Sequence, residues 1–383
     1  LQQVEEIGAY AFASGAVYSS SETFVLPATL HTIGDFAFSY MNVSKVHIDN
    51  KKRTMGIGIF SNSNITDVSF EEGITHIPAQ MFLENKLQQV TLPTSLREIG
   101  ASAFQRNAIT SVEIPPNVTT IGMRAFSSNK LTSLELPESV QEIGESAFSS
   151  NALTTVSMPK KLKTLGNNAF HYNQLRHIYV PQVENLGAKI YNNNPIEHVT
   201  FAEGVTNIGE GMFEESNITE ITLPDTVTHI GARAFRSNKI STVVLPSSLQ
   251  QVGDNAFSNN ILTTIHIPKG ATFGSHAFAN NELRDVTLEE GLKMIAPSMF
   301  IDNEISAVVL PSSLQQVGSA AFKNNKLTTI HIPKGTVFGS RVFESNELRE
   351  VTLEEGVTTI PHTMFKHNQI ERVTLRQTIT NIE

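Results

Sequence analysis

Residues 131–151, LTSLELPESVQEIGESAFSSN, decide the fold, because close variants of this stretch recur along the chain every 21 or 22 residues. The repeat is clearest at one aromatic slot, which phenylalanine fills in copy after copy. Those residues are Phe38, Phe60, Phe82, Phe104, Phe126, Phe148, Phe170, Phe213, Phe235, Phe257, Phe278, Phe300, Phe322, Phe343 and Phe365, with Tyr191 in the one gap. A fixed period of this length predicts a solenoid, in which each copy is one structural unit that cannot bury its apolar side chains alone.

Within the repeat, alternating apolar and polar residues predict a short β-strand. Leu134 and Leu136 flank Glu135, so the two leucines point to one side of the strand and the glutamate to the other. Pro137 ends this strand of about three to five residues, because proline lacks the N–H that a strand ladder needs. The apolar residues that follow, up to Phe148, then turn back into the interior of the coil.

A column of asparagines follows the aromatic slot by three residues. We interpret this column as an asparagine ladder, because a buried amide must be hydrogen-bonded and can bridge the backbone of its own coil and of the neighbouring coil. Ser63 and Ser216 replace the amide with a shorter hydroxyl, and Met41 interrupts the column. The asparagines are Asn85, Asn107, Asn129, Asn151, Asn173, Asn194, Asn238, Asn260, Asn281, Asn303, Asn325, Asn346 and Asn368.

The glycine that follows the last inward Ile or Val, such as Gly144, is predicted to permit close packing between coils. Pro78 and Pro361 occupy the same slot in other repeats. Proline holds φ near −65°, so the slot does not require the left-handed backbone that favours glycine.

The order of strand, proline, second inward segment, I-G-x-x-A-F and turn asparagine resembles the BspA-like subclass of bacterial leucine-rich repeats over essentially the whole chain. The resemblance implies an α/β-type repeat solenoid that is predominantly β, with little α-helix. It implies a right-handed superhelix of about 16–17 coils with a parallel β-sheet on its concave face. It also implies a secreted or cell-surface bacterial protein used in adhesion or in contact with a host or matrix.

The repeats predict a single solenoid domain over residues 1–383, with three irregular features. Residues 1–58 contain a longer period and a variant repeat, and residues 187–196 form a weak coil where we expect a local kink. Residues 243–300 and 308–365 are near-copies, which indicates that a block of three repeats was duplicated. Because the chain begins and ends inside a repeat, we also expect it to be a fragment of a longer protein.

The composition argues against several classes of function. The formal net charge of -9, with 17% charged residues, disfavours binding to nucleic acid or to an anionic membrane. The absence of cysteine excludes disulfides, thiolate metal sites and cysteine nucleophiles. No apolar run approaches the roughly 20 residues of a membrane span. Without a nucleophile or phosphate-loop motif, we expect neither an enzyme nor a cofactor.

The candidate binding surface consists of the outward positions of the predicted strands, since packing uses the inward ones. Most of these positions hold Thr, Ser or other small, weakly polar residues. The candidate ligand-contacting residues come from three consecutive coils. They are His177, Tyr179, His198, Thr200, Glu220 and Thr222.

His177, His198 and Glu220 are also a weak candidate for a metal site, although our prediction is that no metal is bound. Neighbouring members would lie about 5 Å apart across strands, and two histidines with a carboxylate can hold zinc. The alternative interpretation is a solvated surface, because no H-E-x-x-H motif fixes the geometry. His266 and His331 lie three coils apart, about 14 Å, and cannot share an ion.

Three Glu-Glu-Gly corners, at residues 71–73, 289–291 and 354–356, are interpreted as exposed turns. Each offers one pair of carboxylates, whereas calcium requires six to eight oxygen ligands.

Two classes of function remain open at this stage. The first is a non-enzymatic module that binds a host or matrix protein, or a glycan, along the concave strand face. The alternative is a targeting or spacer array for a catalytic or anchoring domain that lies outside this chain. The first hypothesis predicts that the chain binds its ligand alone, and the second predicts that it binds nothing.

Overall fold

A computed structural model describes residues 3–14, 22–354, 356–375 and 380–382. In this part of the chain the repeats form a parallel-strand β-solenoid of about 16 turns without a helix. The predicted predominantly β repeat fold is therefore confirmed. Each repeat forms one coil, and each strand pairs in parallel with the strand at the equivalent position of a neighbouring coil.

The chain divides into two compact units, Leu1–Ile196 and Glu197–Glu383. The first unit ends with the weak coil over residues 187–196. This coil keeps its place in the core, because Tyr191 is fully buried and its ring stacks on that of Phe170 with centroids 5.8 Å apart. Burial raises the pKa of the Tyr191 hydroxyl. The local kink and the single domain stay predictions.

Strands of two kinds alternate along the first unit. The even-numbered strands are those that the sequence predicts, and we call them the front row. The odd-numbered strands form a second row, which we call the side row. The strands are β1 (Glu6–Ile7), β2 (Phe24–Val25), β3 (Thr32–Ile33), β4 (Lys45–Ile48), β5 (Thr54–Met55), β6 (Asp67–Phe70), β7 (His76–Ile77), β8 (Gln89–Val90), β9 (Glu98–Ile99), β10 (Ser111–Val112), β11 (Thr120–Ile121), β12 (Ser133–Glu135), β13 (Glu142–Ile143), β14 (Thr155–Ser157), β15 (Thr164–Leu165), β16 (His177–Val180) and β17 (Asn185–Leu186).

The second unit has strands of the same two kinds. Its front row contains β18 (His198–Phe201), β22 (Thr264–Ile267), β24 (Asp285–Leu288), β27 (Thr329–Ile332), β29 (Glu350–Leu353) and β31 (Arg372–Leu375). Its side row contains β19 (Asn207–Ile208), β20 (His229–Ile230), β21 (Gln251–Val252), β23 (Thr272–Phe273), β25 (Met294–Ile295), β26 (Gln316–Val317), β28 (Val337–Phe338), β30 (Thr359–Ile360) and β32 (Asn381–Ile382).

Front strands are two to four residues long, shorter than the three to five that the sequence predicts. The slot after the strand explains the difference. In the coil after β22, Glu289 occupies this slot. Its N–H donates to Ile267 O at 3.1 Å, and β22 and β24 pair over four residues. Where proline takes the slot, that bond cannot form. Ala307, in the coil that contains Pro311, shares only a single bridge with Asp285 of the preceding coil.

The third side of each coil consists of turns, which the sequence analysis did not foresee. Two residues of a regular coil, such as Ser146 and Ser150, adopt a left-handed backbone with φ of 55°. The backbone here still bonds from coil to coil, since Phe126 N–H donates to Ala147 O at 2.8 Å. These bonds offset a conformation that costs roughly 1–2 kcal/mol for an L-residue.

The aromatic column forms a continuous stack through the core of each unit, as predicted. Phe126 and Phe148 are fully buried, and their rings lie almost parallel at 3° with centroids 5.6 Å apart. Burial of each phenylalanine is favourable by roughly 1.5–3 kcal/mol. One coil has little interior of its own, so the stack is stabilised because this burial is repeated in every coil.

The asparagine ladder is confirmed. Asn129 Nδ2 donates to Phe126 O of its own coil at 3.1 Å and to Phe104 O of the preceding coil at 2.9 Å. Its Oδ1 accepts the N–H of Ile109 at 3.0 Å. One buried amide therefore bonds to three backbone groups, and the two carbonyls are each shared with a neighbouring ladder amide, Asn107 at Phe104 O and Asn151 at Phe126 O.

Serine replaces the ladder amide at Ser63, as the sequence indicates. Its hydroxyl donates to Phe38 O at 3.0 Å and accepts the N–H of Met41 at 3.2 Å.

Close packing at the glycine slot is confirmed. Gly144 does not have a positive φ, but a Cβ placed there would lie 2.5 Å from Met123 N and 2.7 Å from Gly122 C. Glycine is used here because the backbones of neighbouring coils approach each other.

Candidate functional site

The outward positions of the front row expose the candidate site residues of the first unit. His177 and Tyr179 lie in β16, and both side chains are exposed, with Tyr179 at 43%. Ile178 and Val180 alternate with them and are buried. The strand thus presents an imidazole and a phenol on one side and packs aliphatic side chains on the other.

The candidates of the second unit are exposed in the same way. His198 and Thr200 lie in β18. Glu220 and Thr222 flank the buried Ile221 in the next coil, where Glu220 forms a single parallel bridge with Thr242.

A groove of about 370 Å³ brings two of the predicted residues together. Glu220 and Thr222 both line it, beside Asp225, Thr242 and Val244. Two carboxylates and an exposed valine in one groove suit a partner that is both cationic and aliphatic.

The weak metal candidate combines His177 of the first unit with His198 and Glu220 of the second. Because these residues lie in different units, the combination stays a prediction. In the part of the chain that the structure describes, no group of three or more His, Asp or Glu side chains could hold a metal ion.

Histidines of the front row are bound to glutamates of the next coil, which the sequence analysis missed. His266 Nε2 lies 2.8 Å from Glu289 Oε1, and His331 Nε2 lies 3.3 Å from Glu354 Oε1. His47 and Glu71 make the same pair at 3.5 Å. The signal was present as an H-I strand followed 23 or 24 residues later by Glu-Glu-Gly.

The first glutamate of a Glu-Glu-Gly corner also binds the backbone of the preceding coil. Glu289 Oε2 accepts the N–H of Lys269 at 3.1 Å. The hydrogen bond from His266 and this backbone bond lower the pKa of the Glu289 carboxyl below its ordinary value.

The second glutamate of the corner binds the following coil. Glu290 accepts hydrogen bonds from the hydroxyl of Ser312 at 2.7 Å and from its N–H at 3.0 Å, and from the N–H of Ser313 at 2.9 Å. The Ser312 hydroxyl is the main cause that lowers the pKa of Glu290. The corner therefore connects three successive coils, a structural role beyond the exposed turn that was predicted.

The corner at Glu72 follows the same design. Its carboxylate accepts the N–H and the hydroxyl of Thr94, each at 3.0 Å. These bonds, the backbone one first, lower the pKa of Glu72.

Two exposed valines lie in the front row, which the sequence analysis described only as mostly small and weakly polar. Val244 and Val309 occupy the same outward slot in successive blocks of the second unit, and each is 84% exposed. An aliphatic residue in a column of Thr, Ser and His was the signal that could have identified them.

Stacked parallel coils, an internal asparagine ladder and an exposed row of strands define a leucine-rich-repeat solenoid. The chain belongs to the family described as "BspA type Leucine rich repeat region (6 copies)". The family model matches residues 5–131, 98–217, 175–283, 206–327 and 271–383. Leucine-rich-repeat proteins are typically non-catalytic modules of protein interaction.

The chain is similar to solved structures at low sequence identity. A leucine-rich repeat protein from Bacteroides ovatus is 17% identical with a TM-score of 0.59, over 94% of each chain. A leucine rich cell surface protein from Faecalibacterium prausnitzii is 18% identical with a TM-score of 0.44, over 95% of this chain and 90% of that one. No curated protein sequence matches this chain. Among the described residues, no helix has the length and apolar character needed to cross a membrane.

Proposed function

We propose that this chain is a non-enzymatic binding module of a secreted or cell-surface bacterial protein, and that it binds a host or matrix protein or a glycan. The contact residues that we propose are His177 and Tyr179 on the front row of the first unit, and His198, Thr200, Glu220 and Thr222 on the front row of the second. The observation that carries this proposal is the alternation of buried and exposed side chains along the front strands. Inward side chains are buried in the core, whereas outward ones are exposed and chemically varied.

Several features support a recognition role over a catalytic one. The front row presents hydroxyls, imidazoles and carboxylates over many coils, as is typical of surfaces that bind macromolecules. The family resemblance supports a role at the cell surface in adhesion.

A binding screen with variants of the front row tests the proposal. The immobilised chain is probed with arrays of extracellular-matrix proteins and glycans, and each hit is measured again with Tyr179→Ala and His198→Ala. We expect each variant to weaken a hit by about 1–2 kcal/mol, the usual cost of truncating a contact in an interface.

Exposed residues of the same types outside the front row provide matched controls. Tyr172 lies on the turn side and is 57% exposed, and His229 lies in the side row. Tyr172→Ala and His229→Ala should leave binding unchanged. If the chain binds nothing on either array, the spacer-array hypothesis replaces this proposal.

A further inference from the structure

The outward side chains of the second unit's front row repeat every three coils. An acidic residue recurs at intervals of 65 residues, at Glu220, Asp285 and Glu350, and all three are exposed. Coils stack at the spacing of parallel strands, about 4.8 Å, so successive acids lie about 14 Å apart. The chain thus presents a regularly spaced row of carboxylates.

Apolar and aromatic groups fill the two coils between successive acids. Val244 and Val309 follow the acids by one coil, and His266 and His331 follow by two. The valines are 84% exposed. Each interval between acids therefore contains an uncovered aliphatic side chain that a partner can desolvate.

The acids of this row are largely uncompensated. The outward slots from β18 to β29 contain no Lys or Arg. Glu220 and Asp285 make no ion pair among the described residues, while Glu350 is bound by Arg372 at 3.1 Å. Arg284, at the strand edge beside Asp285, is held by Glu304 at 3.1 Å. The surface is acidic and complements a cationic partner.

We propose, building on the binding role above, that this row recognises an extended polypeptide segment with basic side chains at every fourth residue and aliphatic side chains between them. An extended chain rises about 3.4 Å per residue, so four residues span about 14 Å and match the spacing of the acids. Residues i, i+2 and i+4 of an extended chain share one side, so the basic and aliphatic side chains face the same surface.

An α-helix does not match this row. It rises 1.5 Å per residue, so a span of 14 Å takes about nine residues, or two and a half turns. Successive basic groups would then point to opposite sides of the helix. Of three basic groups at this spacing, the middle one would face away from the row, so a helix could not meet successive carboxylates.

A designed peptide tests the inference directly. The nonapeptide KSVSKSVSK carries the proposed pattern, and a comparator of the same composition places its lysines three residues apart. Binding of each labelled peptide to the chain is measured by fluorescence anisotropy at low salt and at physiological salt. We expect the patterned peptide to bind at least about fivefold more tightly, since only its lysines match the spacing of the acids, two of which, Glu220 and Asp285, make no ion pair among the described residues.

Isosteric variants that remove charge identify the contact. Glu220→Gln and Asp285→Asn should each weaken the patterned peptide by about two- to fivefold, as is typical of exposed ion pairs. Glu113→Gln and Glu135→Gln remove exposed carboxylates from the front row of the first unit and should change nothing. All four positions are exposed, so the variants should keep the far-UV spectrum and melting temperature of the parent.

The outcomes separate this inference from the proposed function. Equal affinity for the two peptides, or patterned binding that ignores both Glu220→Gln and Asp285→Asn, overturns the inference. So does tighter binding of a helical peptide with lysines on one face. If no peptide binds but Tyr179→Ala and His198→Ala still weaken a protein or glycan ligand, the inference fails and the binding role stands.

Discussion

Single carboxylates at the Glu-Glu-Gly corners join coils in a way that depends on their ionisation. Glu72, Glu289 and Glu290 all accept hydrogen bonds from neighbouring coils, and their pKa values are lowered by those bonds. A lowered pKa in the folded state means that the bonds stabilise the fold fully above the unfolded-state pKa, near 4.5. That contribution is lost as the pH falls through the folded-state pKa.

The first prediction follows from this linkage. The triple variant Glu72→Gln, Glu289→Gln, Glu290→Gln should lose part of its stability at neutral pH and show a shallower fall in melting temperature between about pH 5 and pH 3. Thermal melts at successive pH values measure both effects. Glu135→Gln is the control, because its carboxylate makes no hydrogen bond among the described residues. A triple variant whose acid limb parallels the parent's would contradict the prediction.

The second prediction concerns a ladder amide. Asn129→Ala removes the partner of the buried Ile109 N–H. It also removes one of the two amide donors of Phe104 O and of Phe126 O, which keep Asn107 and Asn151. A buried unpaired group costs about 1–3 kcal/mol, so we expect a loss of about that size. Denaturant unfolding measures the change in the free energy of unfolding.

The exposed Asn42 supplies the control for the ladder variant. Asn42→Ala should shift the free energy of unfolding by less than about 0.5 kcal/mol, as is usual for surface substitutions. Equal effects of the two variants would mean that the ladder amide contributes nothing beyond an ordinary surface asparagine.

At the level of the coil, contact between backbones sets which residues are allowed. Gly144 packs against Met123 N at a distance that leaves no room for a side chain. Gly270 has the same residue type and no positive φ, but a Cβ placed there would have no heavy atom within 4 Å. The two positions therefore separate the effect of packing from that of backbone freedom.

The third prediction uses this pair of glycines. Gly144→Ala should destabilise the chain by about 1–3 kcal/mol, because the coils must move apart to admit the methyl group. Gly270→Ala should be neutral or stabilise by up to about 1 kcal/mol, because it restricts only the unfolded chain. Thermal and denaturant unfolding of both variants check the contrast, and effects of the same sign and size would refute the packing argument.

At the level of the elements, the sequence predicted the buried columns but not the left-handed turns. Phe148 and Asn129 were assigned correctly because an interior slot accepts few residue types, so burial itself creates a visible column. The left-handed turns were missed because residues as different as Ser146 and Arg124 adopt them. There the conformation is imposed by hydrogen bonds between coils, and no single residue type records it.

Over the whole molecule, the sequence predicted which positions of the candidate site are exposed, but not the contacts between their side chains. Periodicity located the exposed slots, so the exposure of Tyr179 and Glu220 could be predicted. The link between His266 and Glu289 was missed, because it joins different outward slots of two coils and recurs in only some of the coils. The uncovered Val244 was equally invisible to a search for polar motifs.

Stability in such a chain is transmitted between neighbouring coils. In the first unit, Phe104 stacks on Phe82 at 5.6 Å and on Phe126 at 5.3 Å. Backbone bonds likewise join adjacent coils, as Phe104 N–H donates to Ala125 O at 2.9 Å. A chain of nearest-neighbour interfaces responds to damage locally before it responds as a whole.

The fourth prediction concerns how many coils are affected by a cavity in one of them. Phe104→Ala should cost about 3–5 kcal/mol at its own coil, because it leaves a cavity between two rings. In this variant, amide hydrogen exchange should accelerate most over residues 76–126 and much less over residues 164–190 of the same unit. The control is Tyr40→Ala, at an exposed turn position, which should leave exchange in both segments unchanged. Uniform acceleration over both segments would instead mean that the unit opens as one cooperative body, and that a coil's stability is not set by its immediate neighbours.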